Sequence, residues 1–304
     1  MEQSIVLRVP ASVANLGSGF DTMGIALSLF NTVQMQEWDG IEVTTTDGTI
    51  PVTGEQNLIY RTVRAVYEEC GRTLPGLRLV QASPIPQARG LGSSSACIAA
   101  GVVGANRMLG GLLTEREQLS LAARLEGHPD NVVPAMLGGF VTSVMENDQV
   151  WYIKKKVSED LRFCAFVPDF ELLTAAARAA LPKAVPHADA VYNVSRAALM
   201  AAAFCEGRRD LLGVACGDRL HQPYRLPLIA GGSRVFAIAR ELGALAVFVS
   251  GAGPTVMAVI DGCDNCFAAK AILALSQDRS TRHFSLHMLE AHNTGIFGTE
   301  PAGE

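Results

Sequence analysis

Residues 84–110, PIPQARGLGSSSACIAAGVVGANRMLG, decide the fold of this chain. A loop broken by prolines leads into GLGSSS at residues 90–95, and a long helix of small residues is predicted directly after it. Glycines let a ligand approach the backbone closely, and the first turn of a helix offers unpaired N–H groups and the positive end of the helix dipole. These properties suit a phosphate chain. Serine hydroxyls add further donors and a ligand for magnesium.

The loop departs from both common nucleotide-binding fingerprints. No Gly-Lys-Ser or Gly-Lys-Thr follows it, so it is not a Walker loop, and the third glycine of G-x-G-x-x-G is absent. A simple glycine turn before a serine-capped helix would have the same sequence. The segment alone leaves the phosphate-binding and the purely structural interpretations open.

Strand-like and helix-like segments alternate on both sides of this loop. The predicted strands lie at residues 5–9, 28–36, 77–82, 140–144, 163–167, 245–249, 255–260 and 283–289. The predicted helices lie at residues 57–70, 94–109, 114–125, 130–137, 191–204, 233–242 and 266–275. This order predicts an α+β fold in which helices cover an antiparallel sheet.

The length of 304 residues is more than one hydrophobic core usually serves, so the chain is expected to form two domains. We place them at residues 1–153 and 154–304. The predicted boundary lies in the charged stretch near residues 151–160, which we expect to connect strands.

Composition and charge argue against several classes of protein. With 30 acidic and 25 basic residues the net charge is -5, which gives no basic field for nucleic acid or for anionic membranes. The uncharged run at residues 243–260 is interrupted by Ser250, Gly251, Gly253 and Pro254, which favours two strands around a turn over a membrane span.

The start of the chain and its cysteines indicate the compartment. The opening MEQSIVLRVP, with Glu2 near its start, does not match a secretory signal, and seven scattered cysteines suit a reducing compartment. We therefore expect a cytoplasmic protein.

Six segments resemble the homoserine kinases of the GHMP superfamily. They are PASVANLGSGFDTMGIAL (10–27), PIPQARGLGSSSA (84–96), EGHPDNVVPAMLGG (126–139), TAAARAALP (174–182), HQPYR (221–225) and SGAGPT (250–255). The resemblance spans nearly the whole chain. It implies the two-domain GHMP kinase fold, with an N-terminal domain like domain 2 of ribosomal protein S5 and a C-terminal ferredoxin-like α/β sandwich.

The same resemblance implies a reaction, which is ATP-dependent phosphorylation of the side-chain hydroxyl of L-homoserine in threonine biosynthesis. The product would be O-phospho-L-homoserine. A homodimer is also the family expectation.

The resemblance assigns residues to ATP and to magnesium. The ATP-binding set is Pro86, Arg89, Gly90, Leu91, Gly92, Ser93, Ser94 and Ser95. In the superfamily, the glutamate that matches Glu126 ligates magnesium. One carboxylate, one serine hydroxyl and phosphate oxygens form a common magnesium set, so Glu126 is paired with Ser94, and Ser93 is the alternative hydroxyl.

The loop at residues 14–21, ANLGSGFD, is the expected substrate loop. Its glycines allow a tight turn that presents the amide of Asn15 together with the carboxylate of Asp21. Alone, the segment would be an Asx-type turn whose side chains bind local backbone. The resemblance favours a carboxylate that holds an ammonium group. It also makes Arg178 and Arg225 the partners of the substrate carboxylate, which a guanidinium binds through two parallel hydrogen bonds.

No residue stands out as the catalytic base. Several superfamily relatives use an aspartate to take the proton of the accepting hydroxyl, whereas Asn131 stands at the matching position here. We interpret Asp130 as the N-cap of a short helix and give His128 no catalytic role. The expected catalytic residues are Glu126, Asn131 and Ser94, acting through positioning and charge neutralisation without a protein base.

Two other functions stay open at this point. One is a GHMP-type kinase acting on another small alcohol, such as mevalonate or a sugar, and the other is a catalytically inactive metabolite-binding relative. The charges of Asp21, Arg178 and Arg225 favour a zwitterionic substrate over other alcohols. The intact glycine loop, together with Ser94 and Glu126, argues against loss of catalysis.

Overall fold

The structure, a computed structural model, describes residues 4–298. Residues 1–3 and 299–304, which include Glu2 and the outer ends of both predicted domains, lie outside the described residues. The strands are β1 (Ile5–Ala14), β2 (Met23–Glu37), β3 (Gly40–Thr45), β4 (Gly76–Ala82), β5 (Phe140–Glu146), β6 (Gln149–Lys155), β7 (Leu161–Pro168), β8 (Ala246–Val249), β9 (Val256–Asp261) and β10 (Phe284–Leu289).

The helices alternate with these strands, and several are only one turn long. They are α1 (Leu58–Glu69), α2 (Ser93–Met108), α3 (Glu115–Glu126), α4 (Pro129–Leu137), α5 (Thr174–Ala179), α6 (His187–Glu206), α7 (Leu212–Ala215), α8 (Gln222–Arg225), α9 (Gly232–Glu241) and α10 (Phe267–Gln277).

The first half is built on a six-stranded sheet. Its order is β3-β4-β2-β5-β6, and β1 pairs with β2. The pairs are antiparallel except for β3 with β4. Helices α2 and α4 contact β1 and β2. Because they do so, the ends of β1, α2 and α4 meet at one place, where the candidate site lies.

The second half contains a four-stranded antiparallel sheet of order β10-β7-β9-β8. Successive side chains of a strand point to opposite faces, and both faces of β7 pack against a hydrophobic core. Its Phe163 and Ala165 join the core shared with the first half, whereas Cys164 and Phe166 join a separate core with residues of α9 and α10. The second sheet is therefore buried on two faces.

The sequence predicted most of this framework. All seven predicted helices and all eight predicted strands are confirmed, with somewhat different ends. The prediction that the charged stretch near residues 151–160 lies between strands is wrong for residues 151–155, which belong to β6, whereas residues 156–160 do connect β6 to β7. The lysines of β6 are exposed on an edge strand, so their charge does not exclude strand structure. The domain boundary itself stays a prediction.

The remaining unpredicted elements are short or partly exposed. They are β3, α5, α7 and α8. Strand β3, GIEVTT, contains no fully buried residue, so it lacks the apolar pattern that marks the central strands. Within residues 4–298, no helix is both long enough and apolar enough to cross a lipid bilayer.

Candidate active site

A cleft of about 460 Å³ contains most of the predicted site residues and takes its walls from both halves of the chain. Its lining includes Asn15, Asp21, Arg89, Gly90, Gly92, Ser93, Ser94, Ser95, Glu126, Asn131, Arg178 and Arg225. Two predicted ATP-binding residues, Pro86 and Leu91, are not part of this lining. Leu91 is fully buried in the core, so only its backbone is available at this point of the loop.

The loop at residues 84–92, which the sequence predicts to bind phosphate and which we therefore call the phosphate-binding loop, ends at a helix start that no side chain caps. The N-cap of α2 is Gly92, at φ +71°, and no side chain caps the helix there. The serine-capped helix considered from the sequence is therefore wrong. A Cβ atom at Gly92 would lie 2.1 Å from Ser12 Oγ, so glycine is required both by the backbone conformation and by space. The N–H groups of the first turn are left for an anion.

The loop is attached to the second half by several hydrogen bonds. Arg89 donates from Nε to the carbonyl of Pro168 (3.0 Å) and from Nη2 to that of Asp169 (2.8 Å), and it forms an ion pair with Glu171. Its guanidinium therefore binds the second half, while the residue still lines the cleft. Thr255 N donates to the carbonyl of Arg89 (3.3 Å), which adds a second attachment.

Two serines of α2 converge on Glu126, the last residue of α3. Ser94 Oγ and Ser95 Oγ donate to Glu126 Oε1 at 2.8 Å and 2.7 Å. A carboxylate and two hydroxyl oxygens thus meet at the start of α2, and oxygen donors of this kind are the ones that a hard cation prefers. Ser95, which the sequence assigned only to ATP, thus shares the position of Ser94, whereas the alternative Ser93 makes no described bond to Glu126.

His128 and Asp130 form a close pair beside this cluster. His128 Nδ1 lies 2.6 Å from Asp130 Oδ1, and Asp130 is buried. The prediction that Asp130 caps α4 is wrong, because His128 occupies the N-cap position and the carboxylate of Asp130 is bound to its ring. Burial lowers the pKa of His128, but the hydrogen bond and the negative charge of Asp130 outweigh it, so the pKa is raised.

The loop at residues 15–21 brings Asn15 and Asp21 together. Asn15 Oδ1 accepts from the backbone N–H of Asp21 (2.9 Å), and its Nδ2 donates to the carbonyl of Gly251 (2.8 Å). The carboxylate of Asp21 is left facing Arg178, which donates to both of its oxygens at 2.9 Å. Two residues predicted to hold opposite ends of a substrate are thus bound to each other.

Arg225 is 2% exposed and has no carboxylate partner among residues 4–298. Its Nη1 donates to the carbonyl of Gly251 (3.0 Å), and its buried Nε has no hydrogen-bond partner. The guanidinium carbon lies 5.0 Å from the ring centre of Phe20, in cation–π range. The side chain is therefore a buried positive charge whose binding capacity is only partly used.

His221 stands behind this arginine. Burial, opposed by the attraction of Asp218, lowers the pKa of His221, so its ring is neutral near pH 7. Its Nε2 donates to the carbonyl of Gly17 (2.7 Å), which leaves Nδ1 as the acceptor for Arg225 Nη1 at 3.4 Å. His221 also stacks on Phe20, with ring centroids 5.1 Å apart. The sequence marked HQPYR as a motif but gave no role to this histidine.

Comparison with known proteins places this cleft in a family. Models of the GHMP kinase N-terminal and C-terminal domains match residues 57–139 and 200–265. The homoserine kinase of Caldicellulosiruptor saccharolyticus is 46% identical over 293 residues, covering 96% of this chain and 95% of that protein. That of Moorella thermoacetica is 48% identical over 260 residues, covering 84% and 88%.

Solved structures agree with these matches. The crystal structure of homoserine kinase from Cytophaga hutchinsonii superimposes with a TM-score of 0.83 at 28% identity, covering 97% of each chain. A mevalonate kinase structure superimposes with a TM-score of 0.71 at 13% identity, covering 95% of this chain and 99% of that one, which is a likeness of fold alone.

The pair of His128 and Asp130 predicts a pH dependence of stability. Because the pKa of His128 is raised in the folded protein, protonated His128 stabilises the fold below the ordinary histidine pKa of about 6.5. That contribution is lost as the pH rises through the folded-state pKa. We expect the free energy of unfolding in urea to differ most between the native protein and His128→Asn on the acidic side of this range.

The control for this measurement is His187→Asn, which removes an exposed histidine at the start of α6. It should show little change across the same pH range. An advantage of the native protein over His128→Asn that grows towards alkaline pH would contradict the assignment.

Proposed function

The chain belongs to the homoserine kinases of the GHMP kinase family, and we propose that it transfers the γ-phosphoryl group of ATP to the side-chain hydroxyl of L-homoserine. The products are O-phospho-L-homoserine and ADP, in a step of threonine biosynthesis. GHMP kinases use ATP, so the nucleotide follows from the family. The choice of homoserine rests on the end of the cleft that is lined by Asp21, Arg178 and Arg225.

The observation that carries this choice is the buried guanidinium of Arg225 in the same cleft as the phosphate-binding loop. A buried charge that lacks an ionic partner costs several kcal/mol, so its retention indicates a ligand that supplies the partner. A carboxylate is the natural match for a guanidinium. Sugars and other alcohols without a carboxylate leave Arg225 unpaired, whereas mevalonate has a carboxylate for Arg225 but no ammonium group for Asp21.

The pair of Asp21 and Arg178 supplies the complementary end of the site. In the free protein each neutralises the other through two hydrogen bonds. An α-amino acid carries both charges, so its ammonium group takes the place of Arg178 at Asp21, and its carboxylate lies between Arg178 and Arg225. Substrate binding thus replaces the one ion pair of Asp21 and Arg178 by three, which limits the cost of desolvating these groups.

The nucleotide occupies the other end of the cleft. The triphosphate lies at the start of α2, where no side chain caps the helix. Beyond it, Ile50, Pro51 and Val52 line the cleft, and Ile50 is 95% exposed. An apolar side chain in open solvent beside a phosphate site suits the flat face of the adenine ring. The sequence alone contained no signal for these residues.

Magnesium is proposed as the metal, held by Glu126 and the hydroxyl of Ser94 or Ser95. When bound, the ion neutralises the charge that develops on the phosphate oxygens. Glu126 keeps both hydroxyls directed at the same place. Ser94 is the more exposed of the two serines, so it is the one we propose as the direct ligand.

Asn131 is proposed to orient the accepting hydroxyl, and no protein base is assigned. Asp130, its neighbour, is buried and bound to His128, so its carboxylate is already used as an acceptor. In a loose phosphoryl-transfer transition state the hydroxyl proton passes to a γ-phosphoryl oxygen. Positioning of the two substrates then supplies most of the rate.

Three further proposals concern the setting of the enzyme. The domains divide near residues 153 and 154, and the protein acts in the cytoplasm.

It forms a homodimer through the exposed face of β6, where Trp151 and Ile153 are 51% and 69% exposed beside Val144 of β5 at 57%. An open edge strand with an apolar face is typical of surfaces that pair with a second copy.

The proposed reaction is tested by ADP release, coupled to an optical readout, with homoserine, threonine, serine and mevalonate side by side. We expect magnesium-dependent release that is fastest with homoserine, because only its charges and hydroxyl position match both ends of the cleft. Faster release with mevalonate would favour the other alcohol kinases. No release with any alcohol would favour an inactive metabolite-binding protein.

Arg225→Lys is expected to raise the KM for homoserine while the KM for ATP stays unchanged. A hydrogen bond between charged groups contributes about 1.5–3 kcal/mol, so the rise should be about 10-fold to 100-fold. Arg234→Lys is the matched control, since Arg234 is a surface residue paired with Glu241 and Asp278. An equal rise of both KM values would refute the role of Arg225.

Asp130→Asn is expected to retain turnover, because the proton of the substrate hydroxyl is proposed to pass to a γ-phosphoryl oxygen and not to a carboxylate of the protein. Removing a general base costs about 100-fold to 10,000-fold in rate, so a smaller loss separates the two mechanisms. The melting temperature and the KM for homoserine are measured in parallel. Abolished turnover with unchanged folding and substrate affinity would show that Asp130 is the base.

A further inference from the structure

Ser12 is fully buried in β1, next to the cleft but outside every predicted role. Its Oγ donates to Asn131 Oδ1 at 3.0 Å, across a separation of 119 residues in the sequence. Its backbone N–H donates to the carbonyl of Leu91 in the phosphate-binding loop at 3.2 Å. Ser12 thus contacts the residue proposed to orient the substrate and the loop proposed to hold ATP.

The surroundings of Ser12 leave little room for another arrangement. Gly92 packs so closely that a Cβ atom added there would lie 2.1 Å from Ser12 Oγ. Ser12 is 0% exposed, so solvent does not compete for its hydroxyl proton. A buried hydroxyl directs its proton at the nearest acceptor, which here is Asn131 Oδ1.

This hydrogen bond decides which end of the Asn131 amide faces the cleft. With Oδ1 turned towards Ser12, Nδ2 is turned towards Gly251, where it lies 3.9 Å from the place of an added Cβ atom. In the reverse orientation Nδ2 would donate to Ser12, and the serine proton would lose the acceptor that it has at Asn131 Oδ1. Since an amide nitrogen only donates, Asn131 presents donors to the reacting groups.

We propose that Ser12 is a positioning residue for phosphoryl transfer, which acts by holding Asn131 as a hydrogen-bond donor; this inference rests on the proposed function. The amide nitrogen donates to a lone pair of the substrate hydroxyl oxygen. The hydroxyl proton is then free to face the γ-phosphate. As the new oxygen–phosphorus bond forms, the bond to the β-phosphate oxygen breaks and the proton passes to a γ-phosphoryl oxygen. ADP leaves with the electrons of the broken bond.

A double-mutant cycle tests this dependence, because Ser12 should matter only while Asn131 is present. The variants are Ser12→Ala, Asn131→Ala and the double variant, each assayed for kcat and for both KM values with homoserine and ATP. We expect Ser12→Ala to lower kcat about tenfold, equivalent to about 1.4 kcal/mol, with the KM for ATP unchanged. In the Asn131→Ala background the same change should have almost no effect.

Additive losses in the cycle would overturn the proposal, because Ser12 would then act independently of Asn131. Ser120→Ala is the matched control: Ser120 is also buried, and it accepts a hydrogen bond from Val150 N in the same half of the chain. It should leave kcat unchanged. If Ser12→Ala folds poorly, Ser12→Cys serves as the second variant: it is somewhat larger than serine and a weaker donor, and the same non-additivity is expected.

Asn131→Leu removes the donor while keeping a side chain of similar branching. It also avoids a carboxylate, which would be able to take the hydroxyl proton as the matching aspartate of superfamily relatives does. With no donor at this position, kcat should fall about as far as in Asn131→Ala, and near-normal kcat in Asn131→Leu would overturn the donor role. The rate of the native protein with homoserine, measured in the same series, tests the proposed function separately, because the native protein should phosphorylate homoserine whether or not Ser12 acts through Asn131.

Discussion

The rest of the site depends on two hydrogen bonds that end on the carbonyl oxygen of Gly251. It accepts one hydrogen bond from Asn15 Nδ2 and another from Arg225 Nη1, at 2.8 Å and 3.0 Å. Asn15 in turn fixes the backbone of Asp21, so one main-chain atom sets the distance between an anionic and a cationic group. No side-chain substitution can remove this acceptor. The site is therefore anchored to the backbone of the second half.

The same turn also fixes the phosphate-binding loop. Ser250 Oγ donates to the carbonyl of Gly90, and Thr255 N donates to that of Arg89. The turn connects β8 and β9, whose residues are almost all buried, so its position is as rigid as the sheet. Both proposed substrates are thus located relative to a single element. Such fixed positioning supplies rate in reactions where the protein contributes little covalent chemistry.

The sequence predicted the framework well because its signals are local. Glycines before a run of small residues predicted the start of α2, although not whether a serine caps it. The order of helices and strands predicted antiparallel strands covered by helices, which holds for every strand pair described except β3 with β4. Strand β6 was missed because its lysines read as a connecting segment, although an exposed edge strand tolerates them. The four residues of α8 are too few for any periodic pattern.

The site was predicted less completely, for a different physical reason. Asp21, Arg178 and Arg225 came from family resemblance, whereas their mutual geometry depends on contacts between residues far apart in the chain. The roles of Ser12 and His221 depend on partners 119 and 204 residues away, and a buried serine or histidine carries no local mark of its partner. The prediction that Asp130 caps α4 was wrong because the nearby ring of His128 binds the carboxylate.

The unused bonding capacity of Arg225 has a consequence for how this chain can evolve. A guanidinium kept out of water with one nitrogen unsatisfied weakens the resting fold, and a well-packed apolar residue in its place would strengthen it. Selection for function is what retains the charge. In a lineage relieved of that selection, this position should be among the first to change to leucine or methionine. The descendant would have a more stable fold and no catalytic activity.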